Sequence, residues 1–164
     1  MRLDFCFPRE IEAAKKNRTP VVMVGGTVEY HGPQCSYGCD TLIAEGLVNE
    51  LAKRRDLIVA PTISYSPSSW AVGGDTTGTV HIDETVFEEY VYHVFMSMLS
   101  AGLRNIYVVI HHQFEDGNLM PMTLSYMKAA KRATMRYLEK TLGQGWWGSE
   151  SYADYYENLG GNDD

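Results

Sequence analysis

Short unbroken apolar runs alternate in this chain with longer stretches whose apolar residues recur every three or four positions. Val21-Val22-Met23-Val24 is the first run and stops at Gly25-Gly26. Leu57 to Ile63 is the second, stopped by a loop over 64–69, and Asn105 to Ile110 is the third. Runs of this kind read as strands buried on both faces. Arg9 to Asn17 reads as a short polar helix that ends before Thr19-Pro20. Asp40 or Thr41 is placed to cap a helix running to about Arg55. It would carry Leu42, Ile43, Leu47, Val48 and Leu51 on one face, with Lys53, Arg54 and Arg55 suiting its C-terminal end. After the glycine-rich pieces Gly73-Gly74-Asp75 and Thr77-Gly78-Thr79, a short alternating segment sets Val80 and Ile82 against Thr79 and His81. Asp83 then caps the clearest helix, with apolar residues at Val86, Phe87, Tyr90, Val91, Val94, Phe95, Met98 and Leu99, ended by Gly102. Leu119 to Leu142 reads as a last helix, with Pro121 tolerated in its first turn.

Strand and helix in alternation predict an α/β fold, a parallel sheet with helices on both faces. Ligands of such sheets bind at the carboxyl ends of the strands. Two groups of chemically active residues fall there. Glu29-Tyr30-His31-Gly32-Pro33 and then Asp40 follow the first strand, and His111-His112-Gln113-Phe114-Glu115 follows the third. Two carboxylates and an imidazole in a dozen residues are hard and borderline donors, better suited to Zn, Mn or Fe than to Ca or Mg. Taken alone, Glu29 and Asp40 could equally cap or pair locally. The arrival of a second His/carboxylate group at the same sheet edge favours the metal.

Composition narrows the partners. With 164 residues the chain reads as one domain, large enough for a real core. A net charge of −7 argues against nucleic acid or an anionic membrane as the main partner. No apolar run approaches the roughly 20 residues needed to span a bilayer, and Met1-Arg2-Leu3-Asp4-Phe5 lacks a signal-peptide core. Three cysteines make no disulfide framework, which points to a reducing cytoplasm.

The stretch Gly25-Gly26-Thr27-Val28-Glu29-Tyr30-His31-Gly32-Pro33, with Asp40 eleven residues after Glu29, resembles the first metal motif of the creatininase-like amidohydrolases. Thr77-Gly78-Thr79 resembles that family's Pro-Gly-Thr loop. Gly102 to Val109, followed by His112, resembles the strand leading into its Asn-Gly-His motif. The likeness runs from about residue 12 to about residue 147. It implies a three-layer α/β/α sandwich with a mainly parallel sheet, assembly into a homo-oligomer, usually a hexamer, and metal-dependent hydrolysis of a C–N bond in a small polar cyclic or formyl amide. Position by position it implies that Glu29, His31, Asp40 and His112 are metal ligands, with Asp40 bridging two ions. Glu29, Asp40 and His112 would hold one ion; His31, Asp40 and Glu115 would hold a second. The cofactor would be Zn or Mn, with Fe possible, one or two per site. Thr79, Trp146 and Trp147 would meet the substrate, although the tryptophans suit a core or interface role equally well.

The chain departs from the family in several places. Ile110-His111 replaces Asn-Gly, and Phe114 stands where a glutamate ligand is expected, with Glu115 one residue later as its substitute. Gln34-Cys35 replaces a His-Pro pair. Cys35 and Cys39 flank the motif and read as pocket-shaping residues more readily than as zinc ligands. Adjacent residues on an extended chain point opposite ways, so at most one of His111 and His112 should face the metal, with His112 favoured. His81 reads as exposed and His93 as structural. Family members are also longer, with a later segment that supplies acid/base residues, so a second polypeptide carrying that segment is expected. Two other readings stay open at this point: ring-opening of a cyclic ketone such as an oxidised inositol, and a non-catalytic subunit.

Overall fold

The computed structural model describes residues 1–70, 73–112 and 121–143. After a 3-10 turn at Leu3–Phe5, the elements are α1 (Pro8–Asn17), β1 (Val21–Gly25), α2 (Cys39–Arg54), β2 (Ile58–Val59), α3 (Glu84–Ser100), β3 (Ile106–Ile110) and α4 (Pro121–Leu142). The three strands form a parallel sheet in the order β2-β1-β3. Val21 pairs with both Ile58 and Ile106, and Gly25 pairs with Ile110.

β1 is buried along its whole length, and its pleat divides the core. Val21 and Met23 face a cluster built from Phe87, Val91 and Phe95 of α3 and Met122, Tyr126, Ala129 and Ala133 of α4. Val22 and Val24 face Ala44 and Val48 of α2 and Leu57. Alternate residues of one strand thus serve two helical layers, and the three-layer α/β/α sandwich follows. Phe87 meets Tyr126 edge-on, with ring centroids 5.2 Å apart, locking α3 to α4. Asp83 caps α3 as its position predicts, accepting from the amides of Thr85 and Val86 at 2.9 and 3.1 Å.

Several elements differ from their sequence expectation. The second strand shrinks from 57–63 to Ile58–Val59. Pro61 has no N–H to give to the ladder, so pairing lapses and resumes only at Ile63, whose amide bonds Val24 O at 3.0 Å. β3 is half-buried rather than buried, with Tyr107 58% exposed, because it is an edge strand among the described residues. On α3, Val86 and Tyr90 belong to the apolar pattern but lie exposed, while Phe87, Val91 and Phe95 are buried. The stripe expected on α2 is the largest departure. Leu42, Ile43, Leu47 and Leu51 are 41–59% exposed, and the helix meets the sheet through Asp40, Thr41, Ala44 and Val48. Its N-cap is Gly38, with no side-chain cap, so neither Asp40 nor Thr41 caps it. Both side chains turn instead toward the end of β1. No described helix is long and apolar enough to cross a membrane.

Candidate metal centre

The glycine pair that ends β1 makes room for the site. A Cβ on Gly26 would lie 2.1 Å from Thr41 Oγ1, and one on Gly25 would lie 2.8 Å from the Tyr126 ring. The first turn of α2 and the body of α4 therefore press directly against backbone. Hydrogen bonds then fasten the segment leaving the strand. Thr41 Oγ1 donates to Thr27 O at 2.9 Å, Ser66 Oγ donates to Gly26 O at 2.7 Å, and Thr27 Oγ1 donates to Asp40 Oδ2 at 3.2 Å. Beyond it, the Glu29 amide bonds Tyr37 O at 2.8 Å and closes the loop that carries His31. The Tyr30 amide donates to Thr79 Oγ1 at 3.0 Å. Thr79, expected to meet the substrate, has its hydroxyl engaged in holding that loop.

Four of the five expected ligands come together. His112 Nδ1 lies 3.1 Å from Asp40 Oδ2 and 3.2 Å from Glu29 Oε2. His31 Nε2 lies 3.4 Å from Asp40 Oδ2 and 3.9 Å from Glu29 Oε2, while its Nδ1 lies 3.1 Å from Glu29 O. The fifth, Glu115, lies outside the described residues, as do Trp146 and Trp147. His111 also joins the group, its Nδ1 3.2 Å from Asp40 Oδ1. Both adjacent histidines thus lie beside Asp40, but only the buried His112 shares a tight donor group with Glu29 and Asp40. β3 ends at Ile110, so both residues lie beyond the strand, where strict alternation no longer governs them. His81 is held elsewhere: it accepts from the Ser69 amide and packs on Trp70. His93 pairs with Glu89 on the surface of α3. The sequence reading missed Thr27 and Thr41, which carry no ligand chemistry and leave no signal apart from their neighbours.

The centre has a buried part and an open part. The side chains of Glu29, Asp40 and His112 are 4%, 8% and 5% exposed; those of His31 and His111 are 27% and 48% exposed. His31, Asp40, His111 and His112 line a pocket of about 400 Å³. Two deeply buried carboxylates beside one imidazole are costly without further positive charge. Glu29 Oε2 and His112 Nε2 are buried without a hydrogen-bond partner among the described residues. The nearest donor atoms of Glu29, Asp40 and His112 lie within 4.8 Å of one another. An orphaned carboxylate oxygen in an O, O, N donor set is what a divalent cation would satisfy, so the residues fit one.

The electrostatics of the metal-free protein follow from this crowding. Burial alone would lower the pKa of His112, but its hydrogen bond to Asp40 and the Glu29 carboxylate beside it outweigh that and push it up from 6.5 to about 9. Burial would raise Asp40, but His112, His31 and His111 hold it below the ordinary carboxylate range. A folded-state histidine pKa above its unfolded value stabilises fully below the unfolded value and is lost as pH rises through the folded one. The metal-free protein should therefore lose stability between pH 6.5 and about 9, by about 3 kcal/mol. A urea midpoint that stays flat across that interval would refute the pairing. Metal affinity should rise over the same interval, because the ion must displace the His112 proton.

Comparison with known proteins places the chain in a family and a fold. No curated protein sequence matches the chain. Three solved structures similar to it are a mutant creatininase of Zn–Zn type (TM-score 0.74, 18% identity, 87% of this chain and 54% of that one), a creatininase described as Mn (0.73, 20%, 88% and 55%) and a mutant creatininase complexed with creatine (0.73, 19%, 88% and 55%). The chain thus spans about half the length of the structures it matches. At such identities the likeness establishes the fold. The profile of the family described as Creatininase: Creatinine amidohydrolase matches residues 7–159. With nearly its whole length matched, and with Glu29, His31, Asp40 and His112 gathered at the strand ends, this chain belongs to the creatininase family.

Proposed function

We propose that this chain carries the metal centre of a divalent-metal-dependent hydrolase that opens a C–N bond in a small polar cyclic amide or formyl amide. The observation that carries this reading is the convergence of three imidazoles on one buried carboxylate, Asp40, beside the orphaned Glu29 Oε2. The Zn–Zn and Mn forms of the similar creatininases support the same two metals here. A bound divalent cation would lower the pKa of a coordinated water and polarise the substrate carbonyl.

The chain's own residues set the conditions for that chemistry. Glu29, Asp40 and His112 would hold the deep ion in a dry environment, where electrostatic effects are strong. Asp40 has both oxygens directed at imidazoles and so can serve two ions. The Tyr30–Thr79 bond keeps His31 over the pocket. The proton released by the attacking water must reach the leaving nitrogen. We assign that transfer to groups outside the described residues or to a second polypeptide, and keep Glu115 as a ligand of the second ion. Trp146 and Trp147 would cover the substrate. The exposed leucines of α2 support assembly into a homo-oligomer, a hexamer in our reading. The three free cysteines suit a cytoplasmic setting.

A non-catalytic subunit would have no reason to keep Glu29 and Asp40 buried together. The experiment is to strip the purified protein, reload it with Zn or Mn, count the metal, and assay lactams and formyl amides for release of the carboxylate or amine. At least one ion per chain and ion-dependent hydrolysis are expected. Less than one ion per chain ends the reading.

A further inference from the structure

We infer that Cys39 is a metal ligand, and that with His31 and Asp40 it forms a thiolate-containing second cation position selective for zinc. This rests on the metal centre proposed above. Cys39 is the first residue of α2 and immediately precedes Asp40. Its Sγ lies 3.9 Å from Asp40 Oδ1. The donor atoms of His31, Cys39 and Asp40 all lie within 4.8 Å of one another. This trio is separate from Glu29, Asp40 and His112 and shares only Asp40 with them.

The donor chemistry differs between the two positions. The deep one offers two carboxylate oxygens and one imidazole, which Mn and Zn both accept. The outer one offers sulfur, nitrogen and a shared oxygen, a set that favours zinc over manganese. On coordination the thiol gives up its proton to solvent, the Sγ–metal bond forms, and nothing is oxidised. Cys35 provides an internal comparison, since it is exposed and belongs to neither group.

The test uses the full chain, stripped and reloaded with cobalt(II) or zinc. Cobalt-loaded protein should show a thiolate-to-cobalt charge-transfer band in the near ultraviolet, kept in Cys35→Ser and absent in Cys39→Ser. Zinc content should fall from two ions per chain to one in Cys39→Ser. In the unaltered protein, where folding of a variant is not at issue, zinc should slow alkylation of Cys39 and leave Cys35 as reactive as before. Two bound cobalt ions with no such band, or a Cys39→Ser protein that keeps both zinc ions, overturns the assignment. A protein that binds one ion with no thiolate band also overturns it while leaving the hydrolase reading intact. A protein that binds none overturns both.

Discussion

Asp40→Ala should weaken divalent-metal binding by well over 100-fold and leave the protein with no measurable ion after dialysis. Loss of a residue that merely orients a ligand already costs about 10- to 100-fold. Asp40 faces His31 and His112 through one oxygen and His111 through the other, so no other side chain can take over both roles. The variant should also lower the His112 pKa toward its ordinary value, because the hydrogen bond that His112 donates to Asp40 is the largest influence raising it. Titration calorimetry with zinc and manganese checks the first effect, and NMR titration of the imidazole checks the second. Asp40→Asn keeps the shape and removes the charge. It should bind almost as poorly as the alanine variant, because a neutral amide neither bridges two cations nor balances their charge. Wild-type metal content in either variant would show that the ions lie elsewhere.

The second large effect is structural. Gly26→Ala should destabilise the protein by about 3 kcal/mol, at the upper end of the usual cost of over-packing. The added Cβ would lie 2.1 Å from Thr41 Oγ1, 2.7 Å from its Cβ and 2.8 Å from its Cγ2. Thr41 cannot swing aside without breaking its bond to Thr27 O. If the turn moves instead, Asp40 moves with it, so metal affinity should fall together with stability. Thr41→Gly removes all three opposing atoms, and in the double variant it should recover much of the loss. Urea denaturation of the two single variants and the double variant measures the coupling. A Gly26→Ala protein within 1 kcal/mol of wild type would show that the strand end has slack.

The site was more legible in the sequence than the surface was. The Gly25-Gly26 pair, the Glu29–His31–Asp40 spacing and the Asp83 cap are local signals. The structure brings Glu29, His31 and Asp40 together and places the Asp83 cap at the start of α3. Three features were not legible, for three physical reasons. Apolar periodicity on α2 reports that a face is hydrophobic but not what covers it, and Leu42, Ile43, Leu47 and Leu51 are exposed here. Hydrophobic run length overstated β2, because Pro61 is apolar yet cannot donate to the ladder. Asp40 has the chemistry of a helix cap, and only its neighbours in space, Thr27 and the imidazoles, turn it toward the strand end instead.

The in-register pairing of Gly25 with Ile110 makes the centre a gauge of strand alignment. The segments bearing Glu29 and His112 leave neighbouring strands at the same level. A slip of one residue would shift one segment by about 3.3 Å and turn its side chains to the opposite face. No cation could then bridge the two. Ion uptake therefore reads out whether β1 and β3 have docked correctly, and a misregistered chain would be recognisable by its failure to load.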